Sequence, residues 1–339
     1  MNYPEALKKG DTIGICAPSS GITEERKIRK LILAIEQLKE LGYQVIETPG
    51  VRTDHKGRSA SAKQRAKELM ELLENDQVKL IIFAAAADFA VEILEELDWQ
   101  KLKTIKPKWI QGYSDITGLS FVLTTELDIP TIYCQTAKDY AMRPLFKNLT
   151  DALLLASGKE ITQTSFKQYE AMDVQESEDV STPYQLTEPV KWKNITGESK
   201  IIMQGRLLGG CLDVIQYLIG TQYDHIKKFI QRYQSDGIIW FFDCFDVSST
   251  KLFYWLWQMK NAGYFDQCKG IIFGRPLMVK EEYGISFSET ILDAIGDLKI
   301  PIIIDADIGH VAPQLAMVNG AKARIISEKG QGKVETYFT

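Results

Sequence analysis

Histidine and cysteine are scarce in this chain, and their scarcity excludes several kinds of site. The 339 residues include three histidines and five cysteines. The cysteines are odd in number and widely spaced, and they form no CxxC pair. This pattern is typical of reduced thiols in a cytosol rather than of a disulfide framework or a zinc site.

The chain also lacks an excess of positive charge and a long apolar run. Its net charge of −5 offers no basic field to a nucleic-acid backbone or an anionic membrane. The longest apolar run, LIIFAAAADFAVEIL, is interrupted by Asp88 and is too short to span a bilayer. The opening MNYPEALKKGDTIGI lacks the pattern of a signal segment. These features predict a cytoplasmic protein without nucleic-acid or membrane partners.

The first half of the chain alternates strand-like and helix-like segments. DTIGICAPS, KLIIFAAA and PKWIQGY are predicted strands, and ERKIRKLILAIEQLKELGY and FAVEILEELDW are predicted helices. The strands show no period-2 alternation and helices separate them. The pattern therefore predicts an α/β fold with a parallel sheet covered on both faces.

The length and a change in composition predict two domains. Residues 157–200 are polar and weakly periodic, which is typical of a connector that carries some short strands. An N-terminal α/β domain is expected over residues 1–156, and a smaller C-terminal α/β domain over residues 201–339. The second ends in the hairpin-like AKARIISEKGQGKVETYFT.

The segment GYSDITG places a serine between a strand and a helix. The apolar strand stops at Ser114 and the helix begins at Asp115, while Gly112 permits a tight turn. The N–H groups of a helix N-terminus favour a developing oxyanion. The arrangement is similar to a nucleophile elbow, although it is not G-x-S-x-G. From this segment alone, a helix cap by Ser114 or Asp115 is the better explanation.

His310 is the histidine with the placement of a general base. It follows the apolar strand IPIIID and a glycine, so it lies at the carboxyl end of a sheet. A structural turn histidine is the alternative. His55 lies in a polar loop and His225 near a helix start, and both are expected at the surface.

Four aspartates at strand ends are candidates for the acid that orients this base. Asp243 follows the apolar run 238–242, where a carboxylate is costly to bury without a partner. The others are Asp246, Asp305 and Asp307, and for Asp246 capping of the next helix is the favoured role. With Asp243 as the acid, the order along the chain is serine, acid, histidine.

Six segments together resemble the serine LD-carboxypeptidase family, which includes muramoyl-tetrapeptide carboxypeptidases and microcin-C immunity peptidases. They are LKKGDTIGICAPSSG, GYSDITGLS, GRLLGGCLDVI, GIIWFFDCFD, KNAGYFDQCKGIIFGRP and DADIGHVAPQLAMVNGAKARI. The resemblance covers nearly the whole chain in the right order. It implies a Ser-Glu-His triad, no metal, no organic cofactor, a small peptide-like substrate and a homodimer.

The resemblance assigns a role to each matching residue. It makes Ser114 the nucleophile, His310 the base and Asp243 the acid, with oxyanion donors at the backbone N–H groups of Asp115 and Ala87. The residues that it implies for substrate contact are Asp88, Phe89, Gly112, Tyr113 and Asp246.

Two departures from the family pattern bear on activity. Asp243 replaces the usual glutamate and shortens the reach by about 1.5 Å, so either the backbone is closer to His310 or Asp246 takes its place. Ala86 and Ala87 replace a Gly-Gly pair, and an alanine at positive φ would be strained by about 1–2 kcal/mol. Such a member is expected to be slow, retuned or inactive.

The leading hypothesis is a serine hydrolase that cleaves a C-terminal amide-like bond of a small peptide. The substrate is either a muropeptide, cleaved at its L,D bond, or a peptide–nucleotide antibiotic. Aromatic residues in DFAVEIL, FDCFD and FYWLWQM favour the second, although core packing explains each ring taken singly. The alternative is a catalytically weakened relative that binds a peptide or a nucleotide adduct.

Overall fold

The computed structural model describes residues 1–171, 174–175 and 177–339, which form two compact units. Unit 1 comprises Met1–Lys159 and Gln175–Tyr184, and unit 2 comprises Glu160–Val174 and Gln185–Thr339. The polar segment 157–200 is therefore divided between them. Because most of it joins unit 2, the two units are nearly equal in length.

Unit 1 contains a parallel sheet, as predicted. Its strands lie in the order β2-β1-β3-β4-β5, and every neighbouring pair among them is parallel. The order reverses between β1 and β3, the place where open parallel sheets bind ligands beyond the strand ends. The strands are β1 (Thr12–Cys16), β2 (Gln44–Glu47), β3 (Val78–Phe83), β4 (Trp109–Gly112) and β5 (Thr131–Tyr133).

Five α-helices connect or follow these strands. They are α1 (Glu25–Glu40), α2 (Ala62–Glu74), α3 (Trp99–Leu102), α4 (Thr117–Leu127) and α5 (Lys147–Ala156). Four 3₁₀ helices span Pro49–Arg52, Ala90–Glu95, Ser114–Ile116 and Ala137–Ala141. In α4 every residue except Glu126 is buried, so this helix is central to the core of unit 1.

The prediction of one helix over FAVEILEELDW was wrong. The segment is the 3₁₀ helix Ala90–Glu95 followed by the single-turn α3. The Asp98 side chain accepts the N–H of Lys101 and so caps a new helix where the predicted one would continue. Local hydrogen bonding thus outweighs the amphipathic pattern.

Unit 2 is built on an eight-stranded mixed sheet with the order β6-β18-β17-β10-β11-β13-β15-β9. The run β10-β11-β13-β15 is parallel, and β17-β18 is the predicted hairpin. Its strands are β6 (Thr162–Thr164), β9 (Lys193–Asn194), β10 (Lys200–Cys211), β11 (Ile238–Asp243), β13 (Cys268–Gly274), β15 (Ile302–Ala306), β17 (Lys322–Glu328) and β18 (Gln331–Tyr337). The α/β class predicted for both halves is confirmed.

Shorter elements complete unit 2. Two small pairs join β7 (Gln168–Tyr169) to β8 (Glu188–Pro189) and β12 (Asp246–Ser248) to β14 (Met278–Lys280). The remaining elements are β16 (Met317–Asn319), α6 (Leu212–Leu218), α7 (Ile226–Arg232), α8 (Ser249–Asn261), α9 (Phe287–Ile295) and the 3₁₀ helix Gly296–Leu298. No helix among the described residues of either unit is long and apolar enough to cross a bilayer.

Candidate active site

Ser114 lies on a sharp turn between β4 and the helical segment that leads into α4. Its φ of 63° is in the left-handed region, which a non-glycine residue rarely adopts. Gly112 makes the turn possible because a Cβ there would lie 2.8 Å from Phe83 Cδ2. A strained serine between a strand and a helix is the geometry of a nucleophile elbow.

The alternative, that Ser114 or Asp115 only caps α4, is wrong. The residue at the N-cap of α4 is Ile116, and no side chain makes a capping hydrogen bond there. Instead, the Ser114 N–H donates to the Tyr133 hydroxyl at 3.1 Å. The Tyr133 ring packs edge-on against Tyr113, with 6.2 Å between centroids.

Asp115 is buried and bound on one carboxylate oxygen by two donors. Oδ2 accepts the Ser19 hydroxyl at 2.8 Å and the Ala90 N–H at 2.8 Å. Burial raises the pKa of Asp115 to about 6, because desolvation outweighs these two hydrogen bonds. The side chain next to Ser114 therefore anchors the loop after β3, while the oxyanion role of the Asp115 N–H stays a prediction.

Asp115→Asn tests this pKa through stability. The folded-state pKa lies above the unfolded 3.8, so the native state binds the proton more tightly. The free energy of unfolding therefore falls as pH rises from about 4 to about 6. The shift corresponds to about 3 kcal/mol. Urea denaturation across this range should show no such fall in Asp115→Asn. The exposed control Asp76→Asn should keep the fall seen in the wild type. The same pH profile in the wild type and both variants would contradict the raised pKa of Asp115.

The loop after β3 adopts a strained conformation, but not at the expected alanines. Among the residues of this loop, Phe89 has the positive φ, 68°, so the strain predicted at Ala86 or Ala87 is absent. The Ala87 N–H donates to Ser19 Oγ at 3.1 Å. The Phe89 ring is 42% exposed, and the Arg58 guanidinium lies 3.5 Å from its centroid. As an oxyanion donor, the Ala87 N–H would have to exchange its present partner.

In unit 2, the Asp243 carboxylate contacts His310 through both oxygens. Oδ2 lies 2.7 Å from His310 Nδ1, and Oδ1 accepts the His310 backbone N–H at 3.3 Å. Asp243 is 0% exposed at the end of β11, and the His310 side chain is 11% exposed. The shortened acid thus reaches the histidine because the backbone itself approaches, which is the first of the two expected alternatives.

The pKa of His310 reflects two opposed effects. Burial lowers it, whereas the charge of Asp243 and the contact with its carboxylate raise it, as does the charge of Asp213. The net result is a pKa above the usual value of 6.5. A histidine held in this way accepts a proton readily and keeps one ring nitrogen directed at the acid.

Gly309 provides the space that the Asp243 carboxylate occupies. Its φ is 95°, and a Cβ there would lie 1.9 Å from Asp243 Oδ1. Any side chain at this position would push the carboxylate away from His310. The contact between Asp243 and His310 therefore requires a glycine at position 309.

Gly309→Ala should displace Asp243 and lower the free energy of unfolding more than Gly10→Ala does. Gly10 is the matched control, because its φ is 92° and a Cβ there would meet no atom within 4 Å. The shared backbone strain costs about 1–2 kcal/mol, and the clash should add about 1–3 kcal/mol in Gly309→Ala. Chemical denaturation measures both; equal losses would show that the carboxylate tolerates the methyl group.

The other candidate acids have different partners. Asp307 is buried and pairs with Arg275 at 2.7 Å, and Asp305 pairs with Lys193 at 2.8 Å. Asp246 is exposed and does not cap α8, since Ser248 does so through the N–H of Lys251. The capping role expected for Asp246 was therefore wrong. Its backbone N–H donates to Asp213 instead.

The two remaining histidines lie away from strand ends. His55 is exposed in a loop of unit 1, as predicted. His225 is the residue before α7 and is half-buried. Of the residues predicted to contact substrate, Asp88, Phe89, Tyr113 and Asp246 are at least partly exposed, whereas Gly112 is buried.

Two functional candidates escaped the sequence analysis. Ser19 follows β1, is fully buried and bridges Asp115 to the loop after β3. Asp213, in the first turn of α6, accepts the backbone N–H groups of Phe245 and Asp246 at 3.0 and 3.1 Å. It thereby fixes the turn after Asp243, and the Phe245 ring lies 4.7 Å from the His310 ring. The serine could have been suspected from its place after a strand at the reversal of strand order.

Family models match most of the chain. The model described as LD-carboxypeptidase N-terminal domain matches residues 13–134, and the one described as LD-carboxypeptidase C-terminal domain matches residues 204–325. The chain belongs to the LD-carboxypeptidase family. This match confirms the resemblance carried by the six segments. It also supports the prediction that the chain belongs to a family of serine peptidase-type enzymes.

Alignments with two curated relatives cover nearly the whole of this chain and of each relative. The chain is 26% identical to a probable murein peptide carboxypeptidase of Bacillus subtilis, covering 99% of this chain and 95% of the relative. It is 25% identical to the microcin C7 self-immunity protein MccF of Escherichia coli, covering 94% and 91%. A solved structure of MccF in complex with glutamyl sulfamoyl guanosine shares the fold, with a TM-score of 0.81, 19% identity, and coverage of 100% and 99%.

Metal-ligating side chains do not cluster among the described residues. Over residues 1–171, 174–175 and 177–339, no group of three or more His, Cys, Asp or Glu side chains could hold a metal ion. All five cysteines are thiols that form no disulfide, and Cys16, Cys134, Cys211 and Cys244 are buried.

Proposed function

We propose that this protein is a serine carboxypeptidase-type hydrolase that cleaves a C-terminal amide-like bond of a small peptide-like substrate. Ser114 acts as the nucleophile, His310 as the general base and Asp243 as the acid that orients it. The observation that carries the proposal is the buried Asp243 carboxylate held 2.7 Å from His310 Nδ1. A buried, imidazole-bound aspartate at a strand end is the arrangement that activates a serine.

The reaction proceeds through an acyl-enzyme. Ser114 Oγ bonds to the scissile carbonyl carbon while its proton passes to His310, and Asp243 stabilises the imidazolium. The imidazolium then protonates the leaving amine as the C–N bond breaks. Water attacks the carbonyl carbon of the acyl ester and gives a proton to His310. The bond from this carbon to Ser114 Oγ then breaks, His310 returns the proton to Oγ, and the acid product leaves. Backbone N–H groups, with Asp115 and Ala87 as the predicted donors, stabilise the oxyanion.

Two exposed aromatic rings favour a peptide–nucleotide substrate over a muropeptide. Phe89 is 42% exposed and Phe245 is 39% exposed, so core packing does not account for these two rings. Arg58 lies against one face of Phe89, and His310 packs beside Phe245, so stacking of a nucleobase would use the remaining exposed surface of each ring. MccF, a relative, has been solved with an aminoacyl sulfamoyl nucleoside, whereas the Bacillus subtilis relative is named for murein peptides.

Turnover of both substrate classes should be measured side by side. The purified protein is incubated with a muropeptide tetrapeptide or with glutamyl sulfamoyl adenosine, and mass spectrometry follows the release of D-alanine or glutamate. We expect faster release of glutamate, and none from either substrate with Ser114→Ala. Release of D-alanine alone would overturn the substrate preference and leave the hydrolase proposal standing.

The second candidate is a binding protein with weak catalysis. It is favoured by the Ala87 N–H, which is engaged by Ser19 rather than offered to a substrate. Such a protein would bind glutamyl sulfamoyl adenosine in a calorimetric titration, yet the ligand would be recovered intact after prolonged incubation. Recovery of cleaved ligand excludes this candidate.

We further propose that the protein is a cytoplasmic homodimer. The cytoplasmic location is supported by the five cysteines, which form no disulfide, and the dimer by the family resemblance. Light scattering after size exclusion should give twice the 38.4 kDa of the chain. A mass equal to one chain at micromolar concentration would contradict the dimer.

A further inference from the structure

We propose that Ser19 is a positioning residue that holds the Ala87 amide and the loop after β3 in register with Asp115, next to the proposed nucleophile. The inference rests on the proposed function, because the Ala87 N–H matters only if an oxyanion forms. Ser19 itself touches no reacting atom. It acts through the backbone that it holds.

The sheet brings the partners of Ser19 together. Strand β1 pairs with β3 up to the Cys16–Phe83 register, and β3 pairs with β4 up to Ile82–Gln111. Because the three strands are parallel neighbours, the segments that follow them meet at one edge of the sheet. These segments carry Ser19, the loop after β3 and the serine elbow.

The Ser19 hydroxyl lies within hydrogen-bonding distance of three groups. Oγ is 2.8 Å from Asp115 Oδ2 and 2.9 Å from the Asp88 carbonyl oxygen, and it accepts the Ala87 N–H at 3.1 Å. The residue is 0% exposed, so water does not compete for these partners. One side chain therefore connects the residue after Ser114 with two successive residues of the loop.

The number of hydrogens available to this cluster links the hydrogen bonds of Ser19 to the protonation of Asp115. The hydroxyl carries one hydrogen, so beside an ionised Asp115 it can donate either to the carboxylate or to the Asp88 carbonyl, but not to both. When Asp115 is protonated, its O–H can donate to Oγ and the hydroxyl can donate to Asp88. Ser19 Oγ, Asp115 Oδ2, the Asp88 carbonyl and the Ala87 N–H then each have a hydrogen-bond partner, as buried polar groups require.

The hydrogen bond from the Ala87 N–H to Ser19 Oγ fixes the position of the predicted oxyanion donor before substrate binds. A neutral hydroxyl is a weaker acceptor than an oxyanion, since charge-assisted hydrogen bonds are roughly twice as strong as neutral ones. A developing oxyanion can therefore take the Ala87 N–H from Ser19 without rebuilding the loop. Without the hydroxyl, the Ala87 amide loses the hydrogen bond that fixes its direction before the substrate arrives.

Ser19→Ala tests the inference, with Ser59→Ala as the matched control. Ser59 is 3% exposed in the same unit and donates to the Ala17 carbonyl at 2.6 Å. Losing one oxyanion donor lowers turnover by about 10²–10³-fold, so misplacing one in Ser19→Ala should lower kcat by about 10–100-fold. We expect KM within about twofold of the wild type, because the hydroxyl acts on the oxyanion rather than on substrate binding. In Ser59→Ala, kcat should change by less than about threefold.

Amide hydrogen exchange gives a second readout that does not depend on turnover. We expect faster exchange in the peptide that contains Ala87 and Ala90 in Ser19→Ala, and wild-type exchange there in Ser59→Ala. If Ser19→Ala does not fold, Ser19→Cys carries the test, because the thiol keeps the volume and offers only a weak donor. Equal kcat and equal exchange in the Ser19 and Ser59 variants would overturn the inference.

The two proposals fail in different ways. If the wild-type protein cleaves neither substrate, the proposed function fails, and exchange in the Ala87 peptide alone decides whether Ser19 holds the loop. If the wild-type protein is active and Ser19→Ala matches Ser59→Ala in kcat, the hydrolase stands and the positioning role is wrong.

Discussion

Replacing Ser114 with alanine is expected to lower kcat by a factor on the order of 10⁶, the size of effect seen when the nucleophile of a serine hydrolase is removed. The alanine keeps the elbow but removes the atom that bonds to the scissile carbon. Substrate binding should persist, so that KM or the dissociation constant changes little. Product release from glutamyl sulfamoyl adenosine, followed by mass spectrometry, measures the loss.

Ser120→Ala is the matched control for this experiment. Ser120 is buried in α4, about two turns beyond the elbow, so its loss perturbs the same helix without touching the proposed chemistry. Its kcat should stay within about threefold of the wild type, in keeping with a role confined to packing. A Ser114→Ala protein that kept a tenth of the wild-type rate would show that another group is the nucleophile.

Asp243→Asn is expected to lower kcat by about 10⁴-fold, because the amide favours the wrong tautomer of the histidine. The change is nearly isosteric, so the contact with the His310 backbone N–H should survive. It also removes the charge of Asp243, which raises the pKa of His310, and leaves burial, which lowers that pKa, opposed only by the smaller effect of the Asp213 charge. The acid limb of the pH profile of kcat/KM should therefore move to lower pH, because the His310 imidazole stays unprotonated down to a lower pH.

Asp246→Asn controls for the loss of one carboxylate near the same turn. Asp246 is exposed, and its hydrogen bond to Asp213 is made by the backbone N–H rather than by the side chain. Its kcat and acid limb should match those of the wild type. If Asp246→Asn were the more damaging variant, Asp246 rather than Asp243 would be the acid, as the second expected alternative holds.

Polar residues at the ends of apolar runs are the part of the site that the sequence predicts. A carboxylate after five apolar residues needs a partner, and the structure pairs Asp243 with His310. His310 follows an apolar run, and β15 ends four residues before it. These inferences need only the local pattern and the geometry of parallel sheets.

Features that depend on contacts between distant segments could not be predicted. The left-handed residue of the loop after β3 is Phe89 rather than an alanine, because Asp115 binds the Ala90 N–H and Arg65 binds the Phe89 carbonyl. The need for Gly309 appears only once the Asp243 carboxylate is in place. The local sequence does not mark Ser19, because its partners lie 69 and 96 residues away along the chain.

The central claim is that His310 activates Ser114, and labelling with a fluorophosphonate tests it most directly. Mass-spectrometric peptide mapping should find the phosphonate on Ser114 in the wild-type protein. The labelling rate should fall by about 10³-fold or more in His310→Ala, as it does when a base is taken from its serine. The controls His55→Ala and His225→Ala should label at the wild-type rate. Label on another residue, or an unchanged rate in His310→Ala, would contradict the account.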